Sequence, residues 1–375
     1  MSLTVPVEIS DEVNARILAV SEDRLQGFQR DPFGEVSRQT GLDKVTVLDR
    51  VRAMLEVGVI RRVRQTLLAT NLAKGALVAW EVDQENLDSA FDYMFQEDPF
   101  SGHVVTRSTD SASPGSTYKL WTTLKVPSGY SMEKHCNHLL KKVGAKHYRI
   151  MPAKKLFALG VGHVRRKDML PGSRTEEPAK VTDVAVVELT DHEWKVLEAV
   201  KREFRPEELV EDLWRARAEE VDLPIDEFFR VAEDLNERKV VGRFSTFLEH
   251  VKKLSTGERV TRFNALFHWA VPPGRELEAG CEVGRHHIMT HAYWREGGPE
   301  FRNVNVMGVA HGTEKEAVLA HKAAIDVHLK EANIEVGYTN VFWGGRSEIK
   351  PSEISPNAYR SWCSSQGLDH LEMLP

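Results

Sequence analysis

Apolar residues recur at helical spacing near the start of the chain and then give way to an alternating pattern. The segments ILAVSEDRLQGF, FGEVSRQTG and DKVTVLDRVRAMLEVGVI have the spacing of a helix-turn-helix, with Gly41 at the turn. The next segment, IRRVRQTLLATNLAKGALVAWEV, alternates enough to indicate a wing and then a strand. The first part of the chain is therefore predicted to be a winged helix-turn-helix.

A second pattern follows and both patterns then recur. From about Lys74 to Leu159 the spacing predicts strand, helix, strand, strand, helix and strand, the βαββαβ order of a ferredoxin-like unit. Later, HEWKVLEAVKREF and PIDEFFRVAEDLNERKVV match the first helices, and RVTRFNALFHWAV opens a second βαββαβ series in which Trp269 aligns with Trp80. We predict an α+β fold of two tandem units, each a winged helix-turn-helix followed by a ferredoxin-like domain.

These patterns divide the chain into consecutive segments. The first copy has its winged helix-turn-helix at 1–70 and its ferredoxin-like domain at 71–164, and the second copy has the same domains at 184–254 and 255–350. Between them, residues 165–183 are predicted to be a linker, since this stretch is rich in proline, glycine and charge. The C-terminal tail, 351–375, is predicted to be irregular and either to pack on the second copy or to be mobile.

Composition narrows the class of protein. The chain has 375 residues, of which 41% are hydrophobic and 28% charged, as in an ordinary folded protein. No apolar run is long enough to span a bilayer, and the N-terminus shows no signal-peptide pattern, so a cytoplasmic location is predicted. Cys136, Cys281 and Cys363 form no CxxC pair, which fits a reducing compartment and argues against a disulfide framework or a zinc ribbon.

Charge argues against DNA as the main ligand. The formal net charge is −6, whereas proteins that coat a phosphate backbone are more often basic. The first predicted recognition helix, 43–56, carries three acidic and three basic residues, and the second, 225–238, carries five acidic residues against two arginines. Acidic helices would be repelled by the duplex, so these helices are expected to serve as scaffold and interface.

The densest polar and aromatic stretch of the chain is RHHIMTHAYWR, residues 285–295. If this stretch is a strand, alternation places five of its side chains on one face: His287, Met289, His291, Tyr293 and Arg295. A second strand, from Asn303 to Ala310, would lie beside it and end at His311. Such a surface can bind carboxylates through arginine and donate protons through histidine, and iron ligation stays open. No metal site is predicted, because acidic or thiolate partners at ligand spacing are lacking.

The first copy differs at the corresponding positions. In the sequence alignment His103 matches His287, Arg107 matches His291, Thr109 matches Tyr293, and Lys125 matches His311. Cations thus replace both imidazoles of the second copy. One hypothesis is a division of labour, in which the first copy holds a carboxylate by charge and the second transfers protons; the alternative is a decayed first site.

At these residues the chain resembles the siroheme decarboxylases, which are Lrp/AsnC-like proteins of the alternative haem and haem d1 pathways. Residues 59–62 resemble that family's GVIRR wing motif, 290–295 its SHxYxR segment and 305–312 its YNL…IHG strand. In the first copy, 118–121 resembles the YNLW form and 151–157 the closing LPTxxxF segment. The likeness covers nearly the whole chain twice, and the order of the motifs is more specific than any one of them.

The resemblance implies an enzyme that removes carbon dioxide from the acetate side chains of siroheme, giving didecarboxysiroheme without an added organic cofactor. It implies that His291 and His311 are the acid-base or carboxylate-orienting pair, assisted by Tyr293 and Arg295. The iron tetrapyrrole would be the substrate, and the two copies would pair within one chain, with a homodimer left open. The substrate-binding candidates are His287, Arg61, Arg62, Arg107, Lys125, His103 and Arg243.

Departures from the family pattern favour at most one complete site per chain. The aligned first copy lacks both histidines, Gly242 replaces the first wing arginine of the second copy, and Val304 stands where the family has tyrosine. Two alternatives stay open at this point. One is a ligand-sensing transcription regulator of the Lrp/AsnC type, and the other is a non-catalytic haem-binding protein.

Overall fold

The computed structural model describes residues 5–68, 72–159, 169–181, 187–249 and 261–375. Four of the five predicted domain boundaries, at 70/71, 164/165, 183/184 and 254/255, lie outside the described residues. The helices of the first copy are α1 (Glu12–Ser21), α2 (Pro32–Thr40), α3 (Lys44–Glu56), α4 (Leu87–Gln96) and α5 (Met132–Val143). Its strands are β1 (Leu25–Gln26), β2 (Ile60–Leu67), β3 (Ala73–Glu81), β4 (Ser101–Ser108), β5 (Tyr118–Pro127), β6 (His147–Pro152) and β7 (Lys155–Leu159).

The second copy contributes the remaining elements in a similar order. Its helices are α6 (Asp191–Lys201), α7 (Arg215–Glu220), α8 (Ile225–Glu237), α9 (Glu276–Gly284) and α10 (Lys315–Glu331), and the tail forms α11 (Pro356–Ser365). Its strands are β8 (Val241–Leu248), β9 (Phe263–Ala270), β10 (Met289–Trp294), β11 (Val306–Gly312) and β12 (Tyr338–Ile349).

Local sequence signals account for several helix ends. The carboxylates of Asp11, Asp31 and Asp43 accept hydrogen bonds from the first backbone N–H groups of α1, α2 and α3. Gly41 ends α2 in the left-handed conformation, with a φ of 69°, as a turn between two helices requires. At α6, Thr190 and Glu193 form a capping box. Short polar residues that precede these helices therefore determine where each helix begins.

The described residues fall into two compact units, and each unit draws on both copies. Residues 5–68, 187–249, Thr261 and Arg262 form a helix-rich unit, and 72–159, 169–181 and 263–375 form a sheet unit. In the helix-rich unit, β8 lies between β1 and β2 in a three-stranded antiparallel sheet. Strands β2 and β8, which correspond to the predicted wings, therefore pair directly with each other.

The sheet unit contains nine strands in the order β6-β3-β5-β4-β12-β9-β11-β10-β7. Each copy supplies four consecutive strands from its βαββαβ series, and the halves join where β4 pairs with β12. At the other end, β7 of the first copy pairs with β10 of the second. Since β6 and β7 are separated only by Ala153 and Lys154, the two ends of this strand order are also neighbours along the chain.

Side chains on the two faces of this sheet enter separate cores. The helix-covered face of the first copy contains Trp80, and that of the second contains Trp269. The opposite face, which we call the inner face, holds residues of both copies, among them Trp121 and Phe342, whose ring centroids lie 5.3 Å apart. The inner face is therefore an apolar contact between the copies rather than a solvent-facing side.

The C-terminal tail differs from its prediction. Residues 356–365 form α11, and Tyr359, Trp362, Cys363 and Met373 enter the core of the first copy, not the second. Phe100 contacts Tyr359 and Trp362 at centroid distances of 4.9 and 5.5 Å, and the Tyr359 hydroxyl hydrogen-bonds His135 Nδ1 at 3.0 Å. The tail was predicted to be irregular and either to pack on the second copy or to be mobile. This prediction was wrong, because aromatic residues of the tail pack in the helix-covered core of the first copy.

This packing predicts that the tail contributes to stability. Trp362 is 6% exposed, so we expect Trp362→Ala to lower the free energy of unfolding by about 3–5 kcal/mol, through lost burial and the cavity left behind. Urea titration followed by circular dichroism measures the change. The control is Leu371→Ala in the same tail, where the side chain is 60% exposed. Equal unfolding midpoints for the two variants would contradict the packing.

Candidate functional site

Strand β10 directs its polar side chains to the inner face. Ala292 and Trp294 pack with the helix-side core of the second copy, so the alternating residues His291 and Tyr293 point to the opposite face. The rings of His291 and Tyr293 are stacked, with centroids 6.0 Å apart and an interplanar angle of 16°. Arg295 follows on the same face and places its guanidinium 4.4 Å from the Tyr293 ring centroid. The structure thus brings these three predicted residues together.

His311 joins this group through a shared hydroxyl. Strand β11 pairs with β10, and a bulge between Met289 and His291 places Thr290 between the two imidazoles. The Thr290 Oγ1 atom lies 3.2 Å from His291 Nδ1, 3.4 Å from His311 Nδ1 and 3.0 Å from the Val309 carbonyl oxygen. The two predicted catalytic histidines are therefore neighbours, and Thr290 is a site residue that sequence reasoning did not assign.

Arg295 is buried and anchored. One of its Nη1 hydrogens is donated to the carbonyl oxygen of Met151 at 2.5 Å. Burial lowers the pKa of Arg295, and contact with Tyr293 opposes that shift, so the guanidinium stays charged at neutral pH. Burial likewise raises the pKa of Tyr293, against the effect of Arg295. The phenol is thus a neutral hydrogen-bonding group beside a fixed positive charge.

The strand registers correct the alignment of the two copies. In β4 and β5, Ser101 pairs with Leu124 and His103 with Thr123, across a bulge like that between Met289 and His291. Superposing the registers makes His103 the equivalent of His291, Val105 of Tyr293, Arg107 of Arg295 and Lys125 of His311. The predicted matches of Arg107 to His291, His103 to His287 and Thr109 to Tyr293 were wrong by four residues. The match of Lys125 to His311 holds.

The two buried arginines occupy equivalent places. Arg107 donates from Nη1 to the Phe342 carbonyl at 3.2 Å, as Arg295 does to Met151. Phe342 pairs with Leu266 and Met151 with Leu77, which are matching positions of β9 and β3. Arg107 of the first copy therefore reaches β12 of the second, and Arg295 of the second copy reaches β6 of the first. The first copy keeps a histidine and this arginine but has valine for Tyr293 and lysine for His311.

His287 does not join the row predicted for it. It lies in the turn before β10, where its backbone N–H donates to the Ser173 carbonyl and its Nδ1 contacts Ser173 Oγ, both at 3.0 Å. Met289 was also predicted to share the row but enters the helix-side core instead. The bulge after Met289 breaks the alternation that the prediction assumed.

His268 is a second inner-face residue that sequence reasoning did not assign. It is fully buried, with Phe342 and Trp121 at centroid distances of 4.8 and 6.0 Å, and within the described ranges neither ring nitrogen has a hydrogen-bond partner. Burial, reinforced by the charge of Arg107, lowers the pKa of His268 to about 3. Alternation along β9 could have revealed this residue. Phe267 and Trp269 face the helix-side core, so His268 between them faces the opposite side.

The helix-rich unit carries a cluster of arginines, here called the wing arginine cluster: Arg61, Arg62, Arg64 and Arg243. Arg64 and Arg243 lie over the Phe247 ring at 5.3 and 5.9 Å. Burial lowers the pKa of Arg64 to about 10; Glu203 opposes the shift, and the other three arginines add to it. Arg62 pairs with Glu203 at 3.0 Å. Sequence reasoning missed Arg64, although it alternates with Arg62 along β2.

Among the described residues, the Nε atoms of Arg61 and Arg64 are buried without a hydrogen-bond partner. Concentrated positive charge with unused donors is suited to carboxylates, since a guanidinium binds them through two parallel hydrogen bonds. The wing arginine cluster can therefore hold an anionic group. The wing arginine cluster lies in the helix-rich unit and the histidine pair in the sheet unit.

The basic residues of α3 are engaged in ion pairs. Lys44 pairs with Asp31 at 2.8 Å, Arg50 with Asp11 at 3.0 Å and Arg52 with Asp49 at 2.8 Å. On α8, Arg230 lies 3.7 Å from Glu227. These carboxylates partly neutralise the charges that a DNA-reading helix would present to phosphates. The pairing supports a scaffold role for the helices.

Within the described part of the chain, none of the helices has both the length and the apolar character needed to cross a membrane. Those same residues contain no group of three or more histidine, cysteine, aspartate or glutamate side chains arranged to hold a metal ion.

Comparisons with known proteins identify relatives of this chain. Residues 72–158 match the model of the AsnC-like ligand binding domain. The chain is 30% identical over 131 residues to the siroheme decarboxylase alpha subunit of Desulfovibrio desulfuricans, covering 35% of this chain and 70% of that protein. It is 29% identical over 126 residues to the siroheme decarboxylase beta subunit of Oleidesulfovibrio alaskensis, covering 33% of this chain and 78% of that protein.

Solved structures extend the likeness to nearly the whole chain. The crystal structure of the siroheme decarboxylase NirDL has a TM-score of 0.64 and 19% identity, covering 94% of this chain and 99% of that one. Its co-complex with an iron-uroporphyrin III analogue has a TM-score of 0.63 and 18% identity, with the same coverage. At this identity the match establishes the shared fold.

The chain thus contains an AsnC-like ligand binding domain at residues 72–158. More specifically, the chain belongs to the siroheme decarboxylase family. The resemblance seen in the sequence motifs is confirmed.

The buried imidazole of His268 generates a pH prediction. Its ordinary pKa is 6.5 and its pKa in the folded protein is about 3, so between these values the unfolded chain binds more protons. Stability should therefore fall as the pH drops below 6.5, and His268→Leu should remove about 1.4 kcal/mol of that loss for each pH unit.

Urea titrations at pH 7, 6, 5 and 4, as rough sampling points across that window, measure the slope for each variant. The control is Phe342→Leu, which changes the same core without removing a titrating group. It should keep the wild-type slope even though its stability is lower throughout. An identical pH dependence in His268→Leu and wild type would contradict the buried neutral imidazole.

Proposed function

We propose that this chain is a siroheme decarboxylase that removes carbon dioxide from acetate side chains of siroheme, giving didecarboxysiroheme, with the chemistry at His291 and His311. The observation that carries the proposal is the arrangement of these two imidazoles around one hydroxyl, beside a neutral phenol and a fixed guanidinium. Membership of the siroheme decarboxylase family supports the reaction. The iron tetrapyrrole is the substrate, and no organic cofactor is assigned.

The geometry suits the chemical problem. Loss of carbon dioxide leaves electron density on a carbon next to a pyrrole, where the ring can delocalise it, and the carbon then requires a proton. His291 and His311 are assigned to orient the departing carboxylate and to supply that proton. Tyr293 and Arg295 assist through a hydrogen bond and a positive charge. Arg295 is buried, which strengthens its electrostatic effect.

Further substrate-binding roles are assigned to positively charged groups. We propose that Arg61, Arg62 and Arg243, with Arg64 added from the structure, hold acidic side chains of the tetrapyrrole. In the first copy, His103, Lys125 and Arg107 are proposed to bind carboxylates without transferring protons. His287 contacts Ser173 in the turn before β10, and its predicted substrate-binding role stays a prediction.

This assignment implies a division of labour between the copies, with at most one proton-transferring site per chain. The finer architecture, two tandem winged helix-turn-helix and ferredoxin-like units of Lrp/AsnC type with boundaries as predicted, belongs to the same proposal, as does a cytoplasmic location. The continuous sheet of β4 and β12 supports pairing of the copies within one chain.

A second candidate function is tetrapyrrole sensing without turnover. The match to the AsnC-like ligand binding domain favours it, because that domain is described by ligand binding alone. Siroheme binding without loss of carbon dioxide would identify it. Tight binding of a promoter fragment by protein that ignores siroheme would instead identify a transcription regulator.

The histidine pair predicts the effect of substitution on turnover. Anaerobic incubation of the wild type with siroheme should yield, by mass spectrometry, loss of one or two carbon dioxide units. The double variant His291→Ala, His311→Ala should lower the rate by at least about 100-fold, since it removes the proton donors. The control is His192→Ala, an exposed histidine of the helix-rich unit, with normal turnover expected. Undiminished turnover in the double variant would show that the site is misplaced.

The wing arginine cluster predicts a change in affinity rather than in chemistry. Arg64→Met should weaken siroheme binding about 10-fold or more, since a hydrogen bond to a charged group contributes roughly 1.5–3 kcal/mol. Absorbance titration of siroheme at low salt measures binding. Arg30→Met is the matched control, because Arg30 is an exposed arginine paired with Glu233. Equal affinities of the two variants for siroheme would show that the wing arginine cluster does not bind the substrate.

A further inference from the structure

We propose that Thr290 is a positioning residue that holds both His291 and His311 in the form protonated at Nδ1, so that proton transfer runs through the two Nε2 atoms. This inference rests on the proposed function for its catalytic consequence. The hydrogen-bond assignment itself rests on geometry alone.

The first step concerns the proton of the Thr290 hydroxyl. Thr290 is 1% exposed, and its Oγ1 atom lies 3.0 Å from the carbonyl oxygen of Val309. A carbonyl oxygen carries no hydrogen and can only accept, and this contact is the shortest of the three that Oγ1 makes, so we assign the single hydroxyl proton to it. Thr290 therefore has no proton left for either imidazole.

The second step concerns the hydrogen bonds that the Thr290 hydroxyl oxygen can still accept. A hydroxyl oxygen has two acceptor lone pairs, and two ring nitrogens lie within reach: His291 Nδ1 at 3.2 Å and His311 Nδ1 at 3.4 Å. Since Oγ1 can only accept from them, both Nδ1 atoms must carry hydrogen. In a neutral imidazole the other nitrogen, Nε2, is then the basic one.

The consequence is that one buried hydroxyl sets the tautomer of both rings. A ring protonated at Nε2 instead would turn its Nδ1 lone pair toward an oxygen lone pair and lose its hydrogen bond. Each ring therefore presents Nε2 as the atom that accepts or gives the catalytic proton. The bulge at Thr290 makes this arrangement available, because it brings a residue between the paired strands.

The first copy lacks this arrangement. By strand register the equivalent of Thr290 is Gly102, which has no side chain, and a Cβ atom there would lie 2.0 Å from Ser352 Oγ. The equivalent histidine, His103, hydrogen-bonds Ser347 Oγ at 2.8 Å through Nε2, the opposite ring nitrogen. The two copies therefore use their histidines differently, which fits proton transfer in the second copy only.

The test compares Thr290→Val, which keeps the side-chain shape and removes the hydroxyl, with Thr290→Ser, which keeps the hydroxyl. Full-length protein is labelled with ¹⁵N-histidine, and the ring ¹⁵N shifts of neutral His291 and His311 are assigned from the two single alanine variants. Wild type and Thr290→Ser should show Nδ1–H in both rings. Thr290→Val should lose that pattern in both.

Activity gives the second readout. In Thr290→Val, kcat should fall about 10- to 100-fold through misplacement of the reacting nitrogens, with KM little changed and a displaced pH profile; Thr290→Ser should restore all three. Nε2–H rings in wild type, or ring shifts unaltered in Thr290→Val, would overturn the inference. If wild type shows the Nδ1–H pattern but leaves siroheme intact, the tautomer assignment stands and the proposed function fails.

Discussion

Pairing of the two copies through one antiparallel sheet is the constraint on which the site depends. Strand β12 pairs with β4 and strand β7 pairs with β10. On the inner face, residues of each copy pack against residues of the other. Arg107 and Arg295 lie on that covered face, and each satisfies a donor on a carbonyl of the opposite copy. A buried charge requires such hydrogen bonds, so copy pairing and retention of the two arginines are physically linked.

Against this near-symmetric framework, the chemistry is asymmetric. The same backbone positions carry Thr290, His291, Tyr293 and His311 in one copy, and glycine, histidine, valine and lysine in the other. Only the second copy combines a shared hydroxyl with two imidazoles. The corresponding positions of the first copy hold one imidazole and a lysine.

Periodicity and motif order predicted much of the fold and part of the site. The βαββαβ order of both halves, the cap at Gly41 and the grouping of His291, Tyr293, Arg295 and His311 followed from short-range patterns that persist in the structure. The bulge after Met289 did not, because one inserted residue shifts every later side chain to the other face without leaving a periodic signal. The four-residue error at Arg107 has a different origin: His103 was aligned with His287, whereas the strand registers match it to His291. The docking of the tail and the pairing of β2 with β8 depend on long-range contacts, which local spacing cannot encode.

The proposed reaction of siroheme at the histidine pair of the second copy can be checked with an anaerobic crystal structure of the chain with siroheme bound. We expect an acetate group of the tetrapyrrole within about 3 Å of the Nε2 atom of His291 or His311, the reach of a proton-transferring contact. A tetrapyrrole seated with its acetates remote from both rings would contradict it.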